Sequence, residues 1–382
     1  PTFKLGDAAT TSKVQIKHLI CACTGMPRQD LEWLMEFKNR TPAIVVTSLG
    51  DMQPTTKFGE LFQYSNVMAA AAGFLGGHVA FPKLELGKAY DDAMRTLVFA
   101  PLGMKATTFD YKLAQTGNFA LPHSIDLAGK TVPAVHALNY SAIPVRPAGA
   151  AWSTVNDLLK YVQMELAEGK LPDGKQYISR DVLLARRERQ VAIGKDGAYG
   201  MGLFVEKAHE VNVISHGGDM FGFHGLSLWL PDHGIGAVVL TNGDLGHALR
   251  SQFQRRLLEV LFDGKAEAVD DVTLTRKNFE EGLAVANKQL TIPPDPAEVG
   301  KLAARYHNAA LGEFVVVKKG TTLTFDFGEW SSEIATKKNP DGTTGFVTTS
   351  ASFTGVELVP KAGDAKTLVL RDAQHAYEFT AK

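Results

Sequence analysis

The stretch from Val211 to Asn242, VNVISHGGDMFGFHGLSLWLPDHGIGAVVLTN, limits the fold more than any other part of the chain. It reads as consecutive strands. Val211 and Val213 alternate with polar neighbours. Leu226, Leu228 and Leu230 alternate with Gly225, Ser227 and Trp229, and Gly236 to Thr241 is a continuous apolar run. Alternation at period two marks a half-buried strand, and an unbroken apolar run suits a strand covered on both faces. Pro231-Asp232-His233-Gly234 supplies the turn between the second and third strands. Strands joined by short turns pair antiparallel, so the middle of the chain predicts an antiparallel sheet. The first strand ends in His216-Gly217-Gly218-Asp219, whose glycines remove side chains where another group must approach the backbone. On its own this is a glycine bulge beside a surface histidine.

Around this sheet the pattern turns helical. Ser12 caps a short helix through Ile16, Leu19 and Ile20, ending near Thr24-Gly25. Leu31 to Phe37 reads as a second helix. A loop from Phe58 leads to Tyr64-Ser65-Asn66, followed by a small-residue helix from Val67 to about Gly76. Ala89 to Phe99 is helical and closes at Pro101-Leu102-Gly103-Met104. Residues 110–148, with several prolines, read as loop. Ser153 or Thr154 caps a helix from Asp157 to Glu168. Leu249, Phe253, Leu257 and Leu261 recur every four residues before Gly264, a helix that packs on the sheet. Lys265 to Asp271 reads as linker, Phe279 to Leu290 as helix, and Pro293-Pro294-Asp295-Pro296 as the clearest boundary. Beyond it come short strands at Glu313–Val317, Thr321–Phe327, Gly345–Thr349, Val356–Val359, Thr367–Leu370 and Tyr377–Thr380, the spacing of a small antiparallel barrel. The expected division is therefore 1–264, a linker at 265–296, and a barrel at 297–382.

Composition narrows the function classes. A length of 382 residues allows more than one domain, and 45% hydrophobic with 21% charged residues is globular. A formal net charge of −1 gives no electrostatic case for nucleic acid or an anionic membrane surface. The longest small-apolar stretch, Met68 to Gly77, is too short for a membrane span. Cys21 and Cys23, one residue apart, suit neither an ordinary disulfide nor a zinc site and read as core residues. No signal peptide is visible, and the start at Pro1 without a methionine leaves room for a removed upstream segment. Nothing calls for a metal or other cofactor.

Several short segments follow one another in a telling order: Tyr64-Ser65-Asn66, Pro101-Leu102-Gly103-Met104, Pro147 to Thr154 with Asp157-Leu158, Tyr199-Gly200-Met201-Gly202, His216-Gly217-Gly218 and Leu240-Thr241-Asn242. Over about residues 1–262 this order resembles the serine hydrolases related to class C β-lactamases and penicillin-binding proteins. The resemblance implies an α+β fold, an antiparallel sheet of the β-lactamase/transpeptidase type with flanking helices. It also implies a serine nucleophile with a lysine one helical turn later, a tyrosine-x-asparagine loop, and a third motif on the sheet edge. Tyr64 matches the tyrosine that relays the proton, and Asn66 the residue that holds the substrate amide and the lysine. His216-Gly217-Gly218 matches the lysine-threonine-glycine motif, with Gly217 and Gly218 bordering substrate, and the backbone N–H of Asp219 matches an oxyanion donor. Histidine in place of lysine looks more like the esterase and D-amino-acid peptidase branches than true β-lactamases. The C-terminal strands, with Leu302 and Tyr306, resemble the lipocalin-like barrel appended to some relatives, where it borders the active site.

The departure from this pattern is large. No Ser-x-x-Lys occurs anywhere in the chain. The nearest form is Thr10-Thr11-Ser12-Lys13, and Val14 to Ile20 with Thr24-Gly25-Met26-Pro27 resembles the family region after the nucleophile helix. Ala22 and Thr24 stand where the family usually has histidine and serine. The expectation is thus that the first strands and the nucleophile helix are missing, and that a partner chain carries Ser-x-x-Lys. The substrate expected is a small molecule or peptide, with a periplasmic or secreted location compatible. The blander readings make Tyr64 a packed loop tyrosine, Asn66 a helix cap, and Ser153 a cap rather than a nucleophile. His216, Asp219 and His224 as metal ligands are outweighed, since no further cluster supports them. The alternatives to a hydrolase fed by a second segment are a silent binding protein of the same fold and a β-lactamase or carboxypeptidase.

Overall fold

The computed structural model describes residues 3–382, and two β-systems organise it. The first is a six-stranded antiparallel meander. Its strands are β1 (Val191–Ile193), β2 (Gly197–Tyr199), β3 (Phe204–Ala208), β4 (Val211–Met220), β5 (Phe223–Leu230) and β6 (Ile235–Thr241), in that spatial order. Period-two alternation decides which helix each side chain meets. Val213, Leu228 and Leu230 face helix Gly246–Leu261 and meet its Leu258, Phe253 and Leu257. Ile214 and Trp229 point the other way, onto Val162 of helix Val155–Leu166. The cap of that helix is Thr154, whose hydroxyl accepts from the Asp157 N–H at 3.2 Å, while Ser153 pairs with Thr107. Gly222 at the β4–β5 tip adopts φ +73°, and a Cβ there would lie 2.7 Å from the His123 nitrogen. Only glycine fits that tip.

The helices α1 (Asn66–Ala80), α2 (Val155–Leu166), α3 (Gly246–Leu261) and α4 (Ala268–Lys288) complete the frame of this half. α1 sits deep: its Val67, Met68, Ala70, Ala71 and Phe74 are buried in one cluster with Met26, Leu49 and Tyr90. None of the helices among the described residues is long and apolar enough to cross a membrane.

Several elements differ from the sequence expectation. The helix expected after Ser12 is split into Ala8–Lys13, capped by the Asp7 carboxylate, and a short turn Ile16–Leu19 closed by Gln15 and His18. Residues 110–148 hold a short helix, a two-stranded ladder (His123–Ile125 with Thr131–Pro133) and a 3₁₀ stretch from His136 to Ala148. These pieces are too short to show a period. A helix Pro42–Ser48, absent from the sequence expectation, is capped by Thr41 and begins at Pro42. The expected linker from Lys265 turns helical at Ala268, because α4 packs along α3 and Arg255 binds Glu267 and Asp271 across them. Cys21 and Cys23 form a disulfide: Ala22 takes φ +53°, which folds the chain so that their Cα atoms lie 5.2 Å apart. The apolar run of β6 is met by α2 and α3, yet it is the outer strand of the sheet and stays half-buried, with Leu240 43% exposed.

The second β-system has nine strands, of which Leu290–Thr291 is a two-residue extension. The other eight are β7 (Arg305–Asn308), β8 (Gly312–Lys319), β9 (Thr322–Asp326), β10 (Ser331–Lys338), β11 (Thr344–Thr348), β12 (Glu357–Lys361), β13 (Asp364–Arg371) and β14 (Ala376–Ala381). Each pairs antiparallel with the next, and β7 pairs with β14, so the barrel is closed. Closure removes sheet edges. Side chains fill the interior: Phe314, Phe325 and Phe379 are fully buried, and Trp330 stacks between Phe327 at 4.1 Å and Phe353 at 3.9 Å. Met35 and Leu138 of the first half join this core. The Glu329 carboxylate accepts from the N–H groups of Phe37 and Lys38, both at 2.7 Å, and the Tyr377 hydroxyl donates to Glu32 at 2.9 Å. The barrel therefore holds the segment 28–38 by packing and by charge-assisted hydrogen bonds.

Candidate active site

A cleft of about 2290 Å³ opens between the helical part and the end of β4. Tyr64, Asn66, His216, Gly217, Gly218 and Asp219 all line it, although Asn66 and His216 are 150 positions apart in sequence.

Tyr64 and Asn66 arrive at the N-terminus of α1. Ser65 is the cap position, but its hydroxyl makes no cap bond and is buried with no partner among the described residues, so it is not an accessible nucleophile. Asn66 is the first helical residue, and its Nδ2 donates to both carboxylate oxygens of Asp30, at 2.9 and 3.1 Å. Asp30 also accepts from Trp33 Nε1 at 3.0 Å and pairs with Arg28. Burial pushes the Tyr64 phenol above its ordinary value, and the charge of Arg28, 5.5 Å from the ring centroid, opposes that shift only in part. Tyr64 is a neutral phenol at neutral pH.

His216 packs 6.3 Å from the Tyr64 ring. Its Nδ1 lies 2.6 Å from the Gly217 carbonyl, and its Nε2 lies 2.8 Å from the Tyr199 hydroxyl. A carbonyl only accepts, so Nδ1 carries the proton and Nε2 accepts from Tyr199. Burial lowers the imidazole below its ordinary value, and the nearby Arg250 charge adds to this. His216 is thus a neutral, fixed ring, unlike a lysine at the same place. A Cβ on Gly217 would lie 2.5 Å from Arg250 Nη1, so that flexible side chain would have to shift, whereas a Cβ on Gly218 would meet open space.

Asp219 stands opposite His224 in the β4–β5 register. Its carboxylate meets His224 Nδ1 at 2.6 Å and Arg250 Nη2 at 3.2 Å. His224 Nε2 lies 3.6 Å from Asp244. Burial alone would lower the His224 imidazole, but the hydrogen bonds and charges of Asp219 and Asp244 outweigh it and raise it to about 9. His224 is therefore an ion-pair partner, and among the described residues no group of side chains is placed to hold a metal ion.

Of the serines lining the cleft, Ser153 pairs with Thr107 at 2.7 Å and Ser251 donates to its own helix, while Ser215 is buried. None has a lysine or histidine partner among the described residues. Sequence reasoning missed Arg28, Asp30, Asp244 and Arg250. Arg250 had one signal, a polar residue on the apolar face of α3; the others lie in loops without a pattern.

The beta-lactamase family signature matches residues 5–261. The chain belongs to the beta-lactamase family. Penicillin-binding protein 4 of Amycolatopsis lactamdurans is 27% identical over 180 residues, which cover 45% of this chain and 46% of that protein. The chain thus spans less than half the length of that curated relative. Among solved structures, the octameric penicillin-binding protein homologue from Pyrococcus abyssi superposes with a TM-score of 0.56 at 17% identity, over 96% of this chain and 78% of that one. SurE, solved with D-Leu, superposes with a TM-score of 0.50 at 16% identity, over 95% and 78%. Both superpositions extend well past residue 261, so the shared fold takes in more than the family signature does.

Proposed function

We propose that this chain forms most of a serine hydrolase that cleaves an ester or amide through an acyl-enzyme, and that a segment outside these 382 residues supplies the nucleophilic serine and its lysine. The observation that carries this reading is the convergence of Tyr64, Asn66 and the His216–Asp219 strand end on one cleft. Tyr64 relays the proton between the serine and the leaving group. In this chain its phenol is held up by burial, and a lysine ammonium arriving beside it lowers it toward a working range. The Asp219 N–H serves the oxyanion. His224 and Arg250 neutralise the carboxylate of that same residue, which would otherwise repel the developing charge. His216 borders the substrate as a neutral group, so it offers no cation to the carboxylate of a β-lactam or a free peptide terminus. That favours a small ester or a D-amino-acid-containing peptide over a β-lactamase or carboxypeptidase role. A fold neighbour solved with D-Leu agrees with the peptide option. The outer edge of β6, an apolar strand that among the described residues has a strand partner on one side only, supports the added segment.

A second reading, a catalytically silent binding protein, is favoured by one observation. The Asn66 amide is already taken up by Asp30, as in a site that no longer needs to grip a lysine. Denaturing intact-mass measurement of the native protein, followed by a fluorophosphonate serine probe, separates the two. A further polypeptide bearing Ser-x-x-Lys that takes the label supports the hydrolase. A single unlabelled mass matching this chain alone leaves the binding protein.

A further inference from the structure

Beside the Asp219 end of the cleft lies a group of aromatic rings that the proposed chemistry does not use. Trp152 sits at its centre, with ring centroids 5.6 Å from Tyr111, 6.0 Å from Phe119 and 5.7 Å from Phe223, all in edge-to-face arrangements. Paired backbone hydrogen bonds with Thr108, both at 2.9 Å, fix the Trp152 backbone. Tyr111 is buried, but Phe119, Trp152 and Phe223 stay half-open to the cleft. Half-open rings in fixed positions form a surface that gains by burial against another flat apolar group.

A polar residue adjoining these rings gives that surface a direction: the Tyr111 hydroxyl donates to the Asn139 backbone carbonyl at 3.1 Å. Asn139 lines the cleft and is 3% exposed. Its Nδ2 donates to the Phe221 carbonyl at 3.1 Å. A carbonyl only accepts, so the amide is oriented, and the acceptor Oδ1 is left buried with no partner among the described residues. A buried acceptor without a donor is costly, and a ligand N–H removes that cost.

We infer that Tyr111, Phe119, Trp152 and Phe223, with the Asn139 Oδ1 acceptor, form a subsite for the side chain of an aromatic residue whose backbone amide N–H donates to Asn139. The substrate class is therefore an aromatic amino-acid amide or ester. This rests on the hydrolase reading for the word substrate, but not for binding. Phe223 adjoins His224, so the subsite continues into the charged end of β4 where the reacting carbonyl would lie.

The test uses the full chain and two probes, N-acetylphenylalanine amide and N-acetylalanine amide, each as both enantiomers. The indole N–H resonance of Trp152, assigned with Trp152→Phe, reports binding. The phenyl probe is expected to shift that resonance and to bind about tenfold or more tightly than the methyl probe. Asn139→Leu is expected to weaken both probes. Because Asn139 is buried and its variant can unfold, Phe119→Leu at a half-open position serves as the second variant, and it should reduce the preference for phenyl. Equal binding of the two probes, or a phenyl probe that leaves Trp152 unmoved, overturns the subsite. Hydrolysis is followed in parallel on native material. Phenyl preference without turnover supports the subsite while counting against the hydrolase reading. Turnover without phenyl preference overturns the subsite alone.

Discussion

The barrel and the six-stranded sheet solve the same problem of burying apolar strands in opposite ways. In the barrel every strand has two partners, and one aromatic cluster runs through the whole interior. In the sheet half the core is divided among several smaller clusters, and the apolar strand β6 lies at an edge that has no strand partner among the described residues. The barrel is complete in itself, whereas the sheet half presents backbone donors and acceptors along an apolar strand. Natural sheets usually blunt such an edge with charge, proline or a covering element. Ile235 to Thr241 carries none of the first two. The difference assigns stability mainly to the barrel and leaves the sheet half as the place where something can be added.

The largest effect should come from the barrel core. Phe314 is fully buried and touches Tyr306, Phe325, Phe327 and Phe379. Phe314→Ala should cost about 3–5 kcal/mol in urea unfolding, because the closed wall cannot collapse into the cavity. Leu258→Ala in the sheet half should fall nearer to about 2 kcal/mol, the low end for such a change. Equal losses at the two sites would break the contrast.

Next comes the clamp between the halves. Glu329→Gln weakens two charge-assisted bonds to Phe37 and Lys38, and should cost about 1–2 kcal/mol. Faster amide exchange at those two residues, with barrel amides unchanged, is the expected pattern. The segment so held also carries Asp30, the partner of Asn66, so a shift of the Asn66 side-chain amide resonance should accompany the loss. No shift there would separate the clamp from the site.

The charged end of β4 should show a pH dependence that the barrel lacks. His224 is raised from 6.5 to about 9, so its contribution is fully present below pH 6.5 and disappears as pH rises through about 9. Asp219 and Asp244 are held below their ordinary 3.8 despite burial, Asp219 chiefly by its hydrogen bond from His224 and Asp244 by the nearby His224 and the Ser124 hydroxyl, so their contribution is lost as pH falls through that range. The stability gap between the parent chain and His224→Gln should be widest from about pH 4 to 6.5 and narrow above it. A gap that grows toward pH 9 would mean that His224 is neutral and the pairing is read wrongly.

The two halves were also unequally legible in the sequence. The β4–β6 strands could be read because apolar and polar residues alternate without interruption, and α2 because Thr154 stands at its start. The fold family and Tyr64, Asn66 and His216 followed from the order of short motifs. In the barrel, β10 was invisible because Ser332 and Thr336 are buried there. Ser332 accepts from the N–H groups of Thr349 and Ser350, and Thr336 from that of Asp295, so polar residues stand where a strand pattern wants apolar ones. Around the site, Asp30 reaches Asn66 across 36 residues of chain through a loop held by the barrel. That is a tertiary relation, and no local spacing encodes it.

The smallest expected effect tests the open edge itself. Leu240 on β6 is 43% exposed and lies on the outer strand. In the chain alone, Leu240→Lys should change stability by no more than about 0.5 kcal/mol, the usual range for exposed positions. It places a charge where an incoming strand must lie, so it should abolish binding of any segment that pairs along β6. Urea midpoints and size-exclusion profiles of the two chains check both halves of this expectation. If the variant loses as much stability as Phe314→Ala, β6 is already covered, and the sheet half is as closed as the barrel. If stability holds and the Ser-x-x-Lys segment proposed above co-purifies with the parent chain but not with the variant, the edge is where the sheet half is completed.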